Sequence, residues 1–306
     1  MSKSGTLAFA QVMAHCGGSP EAATSFVAKA VAADPRDPEP YAALENLRRE
    51  MPAEMAEVVA TANTIGPVLA RAYLSFVDGD MDEAAMSLGA VTGYQPDVPW
   101  ASAPWFGDER FLGTVTATAF AEATMRIRDY HRGLDTAPVR ECLAPWLRAI
   151  EVVCDRDPDP DSMARMAILL RACGRVDESF ALCDRADAVR RVMFTEVVRA
   201  GTWRQLGDRA ETAAAFRRAL ALDPDNWSLH LDLADLAAED GDFAEAAALA
   251  TRGEELEPGD VTMRAAAAAY RARATGSVAD LERFTELAPQ VPEPYRRTLT
   301  SRARGG

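Results

Sequence analysis

Lysine is nearly missing from this sequence. Lys3 and Lys29 are the only two in 306 residues, so arginine carries almost all of the positive charge. Together with abundant alanine, that bias is the composition of a GC-rich bacterial genome, and it concerns origin alone. Histidine is as scarce. His15, His131 and His230 lie far apart, and none has a carboxylate or cysteine at zinc-like spacing on a shared helix face, so no metal site is expected. The five cysteines, at 16, 142, 154, 173 and 183, include no CxxC pair and are odd in number. Each falls in a helical stretch and reads as a small buried apolar residue, which implies a reducing compartment. Long apolar runs are missing too. None approaches the roughly 20 residues that a bilayer requires. Leu7 to Ala14 is the one candidate for a secretory core, and Gln11 interrupts it, so a cytoplasmic protein without membrane contact is expected. No glycine-rich phosphate loop, nucleophile elbow or dinucleotide fingerprint occurs, so neither catalytic residues nor a cofactor are expected.

What the chain has is acid and repetition. Its net charge of −14 argues against non-specific nucleic-acid binding, because phosphate contact needs a basic face. The charge is uneven. Residues 261–306 hold eight arginines against four acids, which leaves −18 for the rest. A basic end on an acidic array could dock a second copy as a homo-oligomer, or could be a hydrated cap. The hydrophobic share, 48%, is ample for a long buried seam.

Four times a glycine is followed seventeen residues later by a proline, at Gly18–Pro35, Gly79–Pro96, Gly207–Pro224 and Gly241–Pro258. The last two copies are 34 residues apart, the period at which one helix hairpin stacks on the next. Gly207 reads as a helix end, Asp208 as the start of the next helix, and Pro224 as its stop. Five residues past each glycine stands a small side chain, namely Ala23, Ala84, Thr212 or Ala246, and twelve past it stand Ala30, Val91, Ala219 and Gly253. Small residues there let helix axes come close, while Leu88 and Phe216, nine past the glycine, fill the space between pairs. A weaker fifth copy keeps the offsets with Gly174, Ser179 and Ala186, but has Arg191 where the proline would be, so its helix is expected to run on.

On these residues the chain resembles a tetratricopeptide repeat (TPR) protein, best over 193–260 and less well over 4–37, 65–98 and 160–192. It departs from the family where Glu196 and His230 replace the early aromatic, and where Arg199-Ala200 and Leu233-Ala234 replace the leucine-glycine pair. The resemblance implies an all-α, right-handed superhelical solenoid of stacked antiparallel helix pairs. The expected division is 1–93 for the N-terminal pairs, 94–158 for an irregular segment with long helices, and 159–306 for a C-terminal array with a polar capping helix at 293–304. Pro52 should open a helix, Gly113 to Tyr130 should be helical, and Thr136-Ala137-Pro138 should begin a helix that Pro145 kinks.

Two places are candidates for function. The resemblance implies that the first helices of the pairs line a groove, whose inward residues include Leu69, Tyr73, Phe76 and Val77, then Ile168, Arg171, Phe194, Val197, Arg204 and Gln205; alternatively, Tyr73 and Phe76 pack against the degenerate pair before them. Such a face would suit an amphipathic helix or an extended peptide with an acidic residue. The lysines and asparagines by which TPR domains clamp acidic chaperone tails are not supplied here. The second place is the 94–112 interruption, where Trp100, Trp105 and Phe106 could be a contact loop for a partner or plugs that stitch the loop to the helices. Asp108 and Glu109 beside them fit the first turn of a short helix better than a catalytic pair. The expected function is a non-catalytic scaffold or adaptor for a protein or peptide partner. A self-assembling solenoid, or an enzyme's partner subunit with 94–135 in an active region, are the alternatives.

Overall fold

The structure, a computed structural model, describes residues 18–130 and 133–304. The first half of the opening copy, with His15 and Cys16, lies outside the described residues, as does His131. The described chain is all-α with no strand. Its contacts divide it into two groups of helices, one ending at Arg191 and the other beginning at Val192.

The first group holds α1 (Pro20–Ala33), α2 (Glu39–Glu50), α3 (Pro52–Ala60), α4 (Ile65–Asp78) and α5 (Met81–Tyr94). Two 3₁₀ turns follow at Trp100–Ser102 and Pro104–Gly107, then α6 (Glu109–Leu112), α7 (Ala117–Tyr130), α8 (Ala137–Arg156), α9 (Pro160–Ala172) and α10 (Val176–Val189). The second group holds α11 (Met193–Leu206), α12 (Arg209–Leu222), α13 (Trp227–Glu239), α14 (Phe243–Leu256), α15 (Val261–Thr275), α16 (Val278–Leu287), a 3₁₀ turn at Ala288–Gln290, and α17 (Tyr295–Arg304). Within it α11, α13 and α15 start at 193, 227 and 261, so the 34-residue period is kept in three dimensions. They pair with α12, α14 and α16 in turn.

The corner between paired helices is one motif used repeatedly. Gly79, Gly207 and Gly241 all have positive φ, a conformation that costs glycine little and other residues more. The aspartate that follows closes the old helix and opens the new one. Asp208 donates its backbone N–H to Trp203 O at 3.0 Å, and its carboxylate accepts the Glu211 N–H at 3.0 Å. Asp80 and Asp242 cap Glu83 and Glu245 in the same way, at 3.1 and 2.9 Å. Each such cap stabilises its helix by about 1 kcal/mol, and the hairpin needs no loop.

The small residues at the two repeat offsets are buried where the helices meet. Ala23, Ala84, Ser179, Thr212 and Ala246 are fully enclosed, as are Val91, Ala186 and Ala219. Gly89 extends the same rule between α5 and α7, where a Cβ would lie 2.7 Å from Ala123 O.

In the first group the stack runs α1, α4, α5, α7, α9, α10, each packed on the one before. The pair α2–α3 and the long α8 are excursions from that order. Since α9 packs on α7, the boundary expected at 158/159 falls inside one group of helices. Two local expectations change. Helix α7 starts at Ala117 rather than Gly113, because Asp82 accepts both the N–H and the hydroxyl of Thr116, at 2.8 and 3.0 Å, and turns the chain there. Asp157 then caps the Ala117 N–H at 3.0 Å. Helix α10 stops at Val189 instead of running past Arg191, for Arg190 is extended. The carboxylate of Asp161 holds the Arg190 guanidinium at 2.9 Å. Pro145, for its part, sits inside α8, which continues through to Arg156.

Gly89→Ala should lower stability by about 1–3 kcal/mol through overpacking, in spite of alanine's better helix propensity. Urea unfolding reads this directly. An unchanged midpoint would show that α5 and α7 are not held at backbone contact.

Candidate functional site

Eight aromatic residues of the first group form one connected cluster. Trp105 lies 5.3 Å from Phe76, 6.4 Å from Tyr73 and 5.6 Å from Phe111, ring centre to ring centre. Phe106 continues the chain to Trp146 at 4.6 Å, and Tyr41 of α2 meets Tyr73 at 4.9 Å. The cluster therefore ties both excursions, α2 and α8, to the stack. Trp100, Trp105 and Phe106 are buried, at 1, 5 and 2% exposure, and Trp100 Nε1 donates to Gln95 O at 3.0 Å. That burial is the packing of plugs, the second of the two expected alternatives; the apolar area of three large rings outweighs any gain from keeping them in water. Asp108 caps the one-turn α6 by accepting the Arg110 N–H at 2.7 Å, so its role is structural.

The groove residues expected in this group are covered wholly or in part. Leu69 and Ile168 are core residues. Tyr73 and Phe76 are half-buried under Trp105, and the Arg110 guanidinium sits 4.3 Å from the Phe76 ring centre. Burial, with Glu45 accepting its hydroxyl, pushes the Tyr73 pKa up. Arg171 is half-buried, and burial followed by repulsion from Arg128 lowers its pKa. Leu69 and Ile168 are thus enclosed by packing, while Tyr73, Phe76 and Arg171 keep part of their surface exposed.

In the second group the first helices keep an open face. Phe194 and Val197 of α11 are half-buried, while Arg204 and Gln205 at its end are exposed. The Arg204 guanidinium lies 5.3 Å from the Phe216 ring centre. Asp232 of α13 is near it. Burial pushes the Asp232 carboxyl up to about 6, with Arg204 pulling it down and Asp235 adding to the rise.

One turn further along α13 is a hub that the sequence reading did not contain. Asp235 accepts from the hydroxyls of Tyr270 and Tyr295, the latter at 2.8 Å, and from Arg302 at 2.9 Å. Arg302 also bonds the Tyr270 hydroxyl at 2.6 Å and Glu239 at 3.2 Å. These residues come from α13, α15 and α17, separated by up to 67 positions. The one sequence signal is that Tyr295 and Arg302, seven apart, share a helix face.

No group of three or more His, Cys, Asp or Glu that could hold a metal occurs among the described residues. His230 is buried, with Nε2 3.3 Å from Pro224 O. Cys154, Cys173 and Cys183 are buried, and burial pushes the thiols of Cys154 and Cys173 up to about 12, far from a reactive thiolate. No helix among the described residues is long and apolar enough to cross a membrane.

Residues 204–270, from the last turn of α11 into α15, match the tetratricopeptide repeat family model. That stretch of the chain is TPR. No curated protein matches the chain. Solved structures similar to it include TTC0263, a thermophilic TPR protein of Thermus thermophilus, at 18% identity and TM-score 0.40 over 68% of this chain and 98% of that one. YrrB, described as a TPR protein with an unusual peptide-binding site, is similar at 14% identity and TM-score 0.39 over 57% and 96%. MamA from Desulfovibrio magneticus is similar at 13% identity and TM-score 0.41 over 56% and 92%.

Asp232 generates a test of the open face. Its folded pKa, about 6, is above the ordinary 3.8. The native state therefore binds that proton more tightly, and the stability it contributes is complete below about pH 4 and lost as pH rises through 6. Asp232→Asn should remove that loss and raise stability at pH 7.5 by about 1–2 kcal/mol after allowance for solvent screening. Urea unfolding at pH 4.5 and 7.5 measures it, and an identical pH slope in both proteins would contradict the assigned burial.

Proposed function

We propose that the chain is a non-catalytic protein–protein interaction scaffold, and that the first-helix face of α11 and α13 receives a peptide or helix from the partner. The observation that carries the reading is the arrangement on α11. Apolar Phe194 and Val197 are followed two turns later by exposed Arg204 and Gln205, an apolar anchor site with a cation at its end. A ligand with aliphatic or aromatic anchors and one acidic residue complements it. The TPR match over 204–270 supports the same reading, as an expectation from fold. We centre the reading on α11 and α13 because Leu69 and Ile168 of the first group are buried. Buried free cysteines fit a cytoplasmic setting.

The self-assembly alternative drew on the basic C-terminal end, and five of its eight arginines, Arg302 among them, form ion pairs within their own group of helices. Arg271 pairs with Glu254 and Asp280 at 3.0 Å, Arg283 pairs with Glu254, and Arg296 and Arg297 pair with Glu293. No specific observation favours that alternative.

The reading is tested by selecting displayed random 12-residue peptides on the full chain. The expected winners carry apolar anchors and an acid, and Arg204→Glu should weaken them about tenfold to a hundredfold with the melting temperature unchanged. Arg217→Glu, on the exposed side of α12, should leave binding unchanged. Selected peptides indifferent to Arg204→Glu would reject the face.

A further inference from the structure

Helix α17 begins 34 residues after α15, where the first helix of a fourth pair belongs. It packs on α15. Yet its polar side chains pass beyond α15 to α13, through Tyr295 and Arg302 to Asp235 and through Arg302 to Glu239. Both α13 and α15 are first helices of their pairs, so α17 lies across the first-helix face.

Its hold on that face is small. In ten residues only Leu299 and Ala303 are buried. Arg296 and Arg297 pair with Glu293, just before the helix, at 2.9 and 3.3 Å. A helix of this length is not stable alone in water, so docking alone keeps it folded. The docking residues are Tyr295, Leu299, Arg302 and Ala303. Spaced i, i+4, i+7 and i+8, they have the pattern by which an amphipathic helix sits in a groove. Beneath them α13 offers Asp235 and Glu239 on successive turns, two carboxylates where an arginine is welcome and an acid is not.

From this arrangement we infer that α17 is an exchangeable resident of the α13–α15 face. The same face takes a partner's amphipathic helix that presents an aromatic, an aliphatic residue and an arginine at that spacing. The inference rests on the scaffold reading and deepens it, since the Arg204 end and the Asp235 end of the face ask for opposite charges. Residues 292–294, between the buried Val291 and α17, are a short tether, and a short tether holds its cargo at an effective concentration of about 1 mM. A free helix must therefore exceed α17 in contacts, or arrive when α17 has been loosened.

The test uses a fluorescent synthetic peptide of residues 293–304 and three full-length proteins: the natural chain, Leu299→Ala/Arg302→Ala, and that double variant with Asp235→Asn and Glu239→Gln added. The double variant is expected to bind the peptide at least tenfold more tightly than the natural chain does, and the two added changes should abolish the gain. Equal binding to the natural chain and the double variant, or binding to neither, overturns the inference. Hydrogen exchange on the natural chain decides it independently of how the variants fold. Amides of α17 should exchange at least tenfold faster than those of α15, and equal protection would make α17 a fixed part of the core. If the peptide fails while ligands sensitive to Arg204→Glu are still selected, the exchange is wrong and the scaffold reading stands.

Discussion

Everything in this chain depends on helices meeting at positions where there is almost no side chain. Ala84, Ala246, Ala219 and Gly89 are enclosed at the interfaces, and a single added carbon at Gly89 would meet the backbone of α7. Close approach turns many weak dispersion contacts into a dense seam. It also leaves the large side chains free for another use. In the first group of helices they leave the seam and gather into the ring cluster around Trp105 and Phe106. In the second the first-helix face is built from Asp232, Asp235, Tyr270 and Arg204 instead.

The two groups thus solve the same stacking problem with different consequences. Where the chain makes excursions, as at α2–α3 and α8, the aromatic residues join them to the stack and cover it. Where the period is kept without interruption, as from Met193 to Gly276, the first-helix face carries polar residues, and α17 lies across its α13–α15 part, where Asp235 accepts from Arg302 and from the hydroxyls of Tyr270 and Tyr295.

The repeat was legible because its causes are local. A glycine that must have positive φ, an aspartate that caps the residue three positions on, and alanines five and twelve positions later are fixed within one hairpin, and the structure has them where the spacing put them. The groove was legible only in part. Arg204 and Gln205 are exposed as expected, but Leu69 and Ile168 are core, because offset from a glycine identifies the helix face and cannot tell what covers it. Tyr73 and Phe76 pack under Trp105, about thirty residues away, and the Asp235 hub draws on Tyr295 and Arg302, still farther off. Arg191 misled for a different reason. Its neighbour Arg190 is extended and pairs with Asp161, so α10 ends without a proline.

The Gly–Asp corner has a consequence for how such a chain can change over generations. One glycine and one aspartate join two helices with no slack. Adding or deleting a residue there would rotate the next helix by about 100° and turn its alanines away from the seam. Length variation is therefore confined to the excursions, between α5 and α7 and on either side of α8, while the periodic part can lengthen only by whole hairpins.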